Sequence, residues 1–137
     1  MKIRILEKSE AIRKYLKDLE YLSIDSKDKL ENKEKYYASS MIIFSILNDF
    51  FVLGDEIIDF FDLDIAQTYK EIFIILEKKK FITKDDAKYC SRIVYLRNKF
   101  AHEYGNITKD ELFELINKIG NVQDIIDKLI DRVKKED

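Results

Sequence analysis

The chain of 137 residues fits one domain, long enough to bury about two thirds of the surface its unfolded form would expose, so no disulfide or metal staple is required. Apolar residues make up 46% and charged residues 38%, a balance that puts a packed core under a charged shell and excludes a disordered chain. The 25 basic and 27 acidic side chains are intermixed and leave a net charge of −2; this excludes a general nucleic-acid coat, whose affinity scales with the phosphates it neutralises, but leaves room for a local basic cleft.

Proline is absent and glycine occurs only at Gly54, Gly105 and Gly120. That is too little turn chemistry for a sandwich or barrel of short strands, so helices are the default. Cys90 is the single cysteine, which excludes an internal disulfide and points to a reducing compartment. The opening MKIRILEKSE has no apolar run of signal-peptide length, and a cytoplasmic address is expected.

The first helix is expected over about residues 2 to 22, with Ile5, Ile12, Leu16 and Leu19 near helical spacing. SIDSKD, residues 23 to 28, supplies Ser and Asp for a capped turn. A longer helix then spans roughly 29 to 62. Tyr36, Ile43, Phe50 and Ile57 recur at intervals of seven, and Tyr37, Phe44, Phe51 and Ile58 form an adjacent line. Two apolar lines make a stripe wider than a simple surface helix needs, so this helix should meet several neighbours, a dimer contact being one of them. Its uncharged run, residues 36 to 48, stops at Asp49, well short of the roughly 20 residues of a membrane span. No membrane partner is expected.

A third helix, about 65 to 80, carries Tyr69, Ile72, Phe73 and Leu76. A fourth begins at Thr83, whose hydroxyl can cap it while Asp86 sits in the first turn. The fifth opens with TKDE, residues 108 to 111, a capping box of Thr108 and Glu111. Leu112, Leu115, Ile119, Val122, Ile126, Leu129 and Val133 then step by three and four. Gly105 suits the left-handed residue that ends a helix, so the loop between helices four and five is short, about 104 to 107. The expected fold is all-α: a single domain over 1–137, an antiparallel up-and-down bundle of about five helices.

The chemistry concentrates in YLRNKFAHEYGN, residues 95 to 106, which holds the only histidine, His102. Ala87, Cys90, Val94, Arg97 and Ala101 share one line of helix four. Arg97 thus takes a place the pattern reserves for apolar side chains, and must find a carboxylate or line a cleft that admits water or an anion. His102 lies five residues on, rotated by about 140° on an undistorted helix. Asn98 precedes His102 by four residues and can orient its ring, while Tyr104 is nearly in register with Arg97. Two short faces therefore meet at a helix end, Arg97 with Tyr104 and Asn98 with His102.

RNKFAHEY reads as R-x4-H-x-Y with a polar residue after the arginine. In this motif, in its length and in its all-helical pattern, the chain resembles HEPN domains, in particular the HepT-like toxins. The resemblance implies a homodimeric, metal-independent ribonuclease whose cleft forms where the motifs of two subunits meet, with no cofactor. It also implies a small nucleotidyltransferase antitoxin that adenylylates the motif tyrosine. Carried over by position, Arg97 and His102 are catalytic, Asn98 is supportive, and Tyr104 is both an active-site residue and the modification target. RNA is the substrate so implied. The alternative within the family is a non-catalytic subunit that binds nucleotide or substrate for a partner nucleotidyltransferase.

Plainer roles stand beside these. His102 can cap a helix C-terminus, Tyr104 can cover the end of the bundle, and the whole chain can serve as a structural dimerisation module. Arg97 can pair with Asp49, Asp55, Glu56 or Asp59 on helix two. A di-iron centre is excluded, since it needs Glu-x-x-His on two helices and the residue three before the only histidine is Lys99.

Overall fold

The computed structural model describes residues 2–102 and 107–136. Among them are six α-helices, one 3-10 turn and no strand. Helix α1, Lys2–Tyr21, buries Ile5, Ile12 and Leu19 on one side, as its spacing predicts. The chain then passes through the 3-10 turn Lys27–Glu31, and α2 starts later than expected, at Lys33–Phe60. Asn32 sets that start: its side-chain oxygen accepts from the Lys35 backbone N–H at 3.0 Å and caps the helix.

Helix α2, 28 residues and about 42 Å long, is the centre of the molecule and packs against every other helix. Its wide stripe is accounted for in this way. Ile43, Phe50, Ile57, Phe51 and Ile58 are fully buried. Towards the N-terminal end the stripe emerges, and Tyr37 and Met41 are exposed.

Helix α3, Tyr69–Lys78, begins after Thr68 rather than at 65, because Thr68 Oγ1 accepts from the Glu71 N–H at 3.1 Å and Glu71 accepts from the Gln67 N–H at 2.7 Å. It lies close on α2. A Cβ built on Gly54 would stand 2.8 Å from Ile72 Cγ2, and a β-branched side chain on a helix has little freedom to yield. The close approach stacks Phe73 on Phe50 (5.3 Å between ring centroids) and Tyr69 on Phe51 (4.9 Å).

Helix α4, Lys84–His102, opens on the Thr83 cap as expected, with Thr83 Oγ1 accepting from the Asp86 N–H at 3.0 Å. The capping box of Thr108 and Glu111 is also present at the start of α5, Lys109–Lys118. The periodic run that follows is not one helix. It breaks at Ile119, and α6 covers Gly120–Lys134, so six helices stand where about five were expected. Bonds from the Ile119 N–H to the Ile116 carbonyl and from the Val122 N–H to the Ile119 carbonyl, each spanning three residues, tighten the backbone there. The break lets Leu112 and Leu115 on one segment, and Val122, Ile126, Leu129 and Val133 on the next, all reach the core. Among the described residues no helix is long and apolar enough to cross a membrane.

Candidate functional site

The line of α4 that carries Arg97 faces inward as its spacing predicts: Cys90 and Val94 are buried, and Ala87, Arg97 and Ala101 are half-buried. Burial pushes the Cys90 thiol far above its usual range, which keeps it protonated and unreactive. One turn beyond Val94, the guanidinium of Arg97 meets α2 and α3. Its Nε donates to Asn48 Oδ1 at 2.9 Å, and its Nη1 makes a long contact of 3.4 Å with Asn98 Oδ1. The Arg97 Cζ lies 4.9 Å from the centroid of the Tyr69 ring and 5.5 Å from that of Phe44, both within the range of cation–π attraction.

None of the four carboxylates offered by helix two pairs with Arg97 among the described residues. Asp49 binds Lys8 at 3.2 Å and Glu56 binds Arg4 at 2.9 Å, both on α1. Asp55 and Asp59 are exposed. Desolvation, and after it the nearby charges of Asp59 and Glu56, push the Asp55 carboxyl above the usual aspartate range, the opposite of what an ion pair with arginine would do. Among the described residues Arg97 is therefore left without a carboxylate partner. It stands on the wall of a cleft of about 500 Å³ between α2, α3 and α4, which is also lined by Asp55, Glu56, Thr68, Tyr69, Lys70 and Asn98.

Asn98 is exposed at the rim of this cleft. His102 is the last residue of α4. The side chain of His102, the whole of Tyr104, and the helix end expected at Gly105 lie outside the described residues. So do the two pairings expected there, Asn98 with His102 and Arg97 with Tyr104.

The far end of α4 is tied to α5 on both sides of that segment. Lys99 Nζ binds the Glu111 carboxylate at 2.9 Å, and Arg92 grips Glu114 with two bonds of 2.9 and 3.0 Å. Glu111 thus serves twice, as the capping-box partner of Thr108 and as the anchor of Lys99. The Thr108 backbone N–H, and after it the Lys99 ammonium, hold the Glu111 carboxyl below the usual glutamate range against the opposing effect of burial. A carboxylate lowered in the folded state contributes stability above its unfolded pKa and loses it as pH falls through the folded value. The difference in Tm between wild type and Glu111→Gln is therefore expected to be largest near neutral pH and to shrink on acidification below about pH 4. A difference independent of pH would contradict this role.

Three contacts of Arg97 went unseen in the sequence: Asn48, Tyr69 and Phe44. Asn48 carried a signal, since it is the one amide in an otherwise apolar or hydroxyl-bearing run and shares a stripe with Phe44, Phe51 and Asp55 at steps of four, three and four. Tyr69 carried none, because its place depends on how α3 packs.

Comparison with known proteins bears on this arrangement. The family model described as ribonuclease HepT-like matches residues 5–132. No functionally curated protein matches the chain. Among solved structures, a toxin–antitoxin crystallised with AMP-PNP aligns at a TM-score of 0.82 and 16% identity, over 92% of this chain and 97% of that one. The tri-AMPylated Shewanella oneidensis HEPN toxin, in complex with its MNT antitoxin, aligns at 0.80 and 18%, over 97% and 98%. A cytosolic protein of unknown function from Bacillus subtilis, YutE, aligns at 0.76 and 21%, over 93% and 91%. At these identities the likeness is one of fold.

Proposed function

As the chain belongs to the ribonuclease HepT-like family, we propose that it is a toxin that cleaves RNA without a metal ion and is neutralised by a nucleotidyltransferase antitoxin. The observation that carries the reading is Arg97. A half-buried guanidinium whose described partners are all neutral, on the wall of an open cleft, suits an anion, and its fork matches two oxygens of a phosphate.

Metal-free cleavage proceeds by attack of the ribose 2′-hydroxyl on the adjacent phosphorus. A base takes the hydroxyl proton, the P–O5′ bond breaks, an acid protonates the departing 5′-oxygen, and a cyclic phosphate remains. His102 is assigned proton transfer, since an imidazole works as base or acid near neutral pH. Arg97 is assigned the charge on the phosphorane. Asn98, four residues before His102, orients its ring. One chain has one histidine, so a mechanism with a separate base and acid is met by a homodimer that brings two copies of His102 to one cleft.

Tyr104 is assigned as the place where the partner acts, in keeping with the AMPylated state of the similar Shewanella oneidensis toxin and its MNT antitoxin. Transfer joins the tyrosine oxygen to the α-phosphorus of ATP and releases pyrophosphate. Co-expression with the cognate nucleotidyltransferase should add one or more AMP masses to the wild-type chain and none to Tyr104→Phe. An unchanged label on Tyr104→Phe would move the site elsewhere, and an unlabelled wild-type chain would remove modification from the account.

A further inference from the structure

We propose that Asn48 is a positioning residue that fixes the plane of Arg97 while leaving its charge unspent, a role that rests on the nuclease reading of the cleft. Arginine has only donors to offer, so the atom that Asn48 presents at 2.9 Å from Nε is its carbonyl oxygen. That bond sets the tilt of the guanidinium. The Tyr69 and Phe44 rings, 4.9 and 5.5 Å from Cζ, pack against it without taking an N–H. Of the remaining donors, Nη1 has only the 3.4 Å contact with Asn98, and no described residue accepts from Nη2. Among the described residues the group is thus held by neutral partners, with no carboxylate on its outer edge.

The neighbouring residue makes the choice of an amide meaningful. Asp49 adjoins Asn48 on α2, yet it points at Lys8 of α1. At this point α2 thus turns the carboxylate of Asp49 towards α1 and the amide of Asn48 towards Arg97, while Asp55 and Glu56, further along the helix, line the cleft without pairing with Arg97 among the described residues. A carboxylate in the place of Asn48 would form a close ion pair with Arg97 and cancel the field that draws a phosphate. The side-chain shape would be unchanged.

Asn48→Asp makes that single change. Because it gives a half-buried arginine a charged partner, the variant is expected to fold with a Tm no lower than wild type. Its kcat/KM on single-stranded RNA should nonetheless fall by about tenfold or more. A purely structural role would lower Tm and activity together. A second readout needs no substrate: the Nε–Hε resonance of Arg97 should exchange slowly in the wild-type protein and be lost in Asn48→Ala. Wild-type kcat and KM in Asn48→Asp, or a resonance unchanged in Asn48→Ala, would overturn the proposal. Inactive wild-type protein would count against the nuclease reading alone, and the resonance would then still decide the role of Asn48.

Discussion

Expression of the wild-type chain without its antitoxin is expected to arrest growth, and expression of His102→Ala or Arg97→Ala is expected to be harmless. For the purified protein, loss of His102 should lower RNA cleavage by about 10²- to 10⁴-fold, the usual contribution of a positioned general acid or base. Loss of Arg97 should cost about 10²- to 10³-fold, as for a single group that stabilises developing negative charge. The two substitutions should differ in their effect on the fold. His102 ends α4, whereas Arg97 is half-buried and bonded to Asn48 on α2, so Arg97→Ala also removes packing against Phe44 and Tyr69 and should lower Tm. Arg97→Lys keeps the charge but loses the fork, and should recover only part of the activity. Equal growth arrest by all three chains would refute the assignment of these residues.

The largest effect on stability is expected from Phe51→Ala. Phe51 is fully buried and meets three rings, Phe50 at 6.1 Å, Phe73 at 5.7 Å and Tyr69 at 4.9 Å between centroids. Truncating such a side chain loses its transfer free energy and leaves a cavity, together about 3–5 kcal/mol. For a domain of this size that lowers Tm by roughly 10–20 °C. The effect should reach the site as well, because Phe51 backs the ring of Tyr69, which in turn lies over Arg97. Activity measured well below the new Tm should therefore fall, while Phe51→Leu should recover most of both. A Tm within a few degrees of wild type would mean that the junction of α2 and α3 is not the core it is taken to be.

The helical architecture was legible because helix periodicity is local. Residues seven apart on α2 are brought to one face by the backbone alone, and the caps at Thr83 and Thr108 are contacts of three residues' reach. The failures have equally physical causes. A strict three-and-four pattern over residues 112 to 133 cannot report a break that preserves the apolar register, and Ile119 breaks the helix without disturbing it. The start of α2 was misplaced because LEN, residues 30 to 32, reads as helix continuation until Asn32 is seen to cap.

At the site, the apolar line constrains Arg97 without naming its partners. An arginine on an apolar line must be paired or line a cleft. The candidates for pairing were carboxylates, since these are what buried arginines usually take. What the fold supplies is an amide and two aromatic rings, from α2 and α3, whose faces meet Arg97 only once the helices have packed. That difference matters chemically, because a neutral set of partners leaves the charge available.

The most direct measurement is cleavage of single-stranded RNA by the purified chain in excess EDTA, with His102→Ala beside it. The account predicts cleavage that persists in EDTA, leaves cyclic phosphate ends, and disappears in the variant. Cleavage abolished by EDTA, or equal in the two proteins, would contradict it.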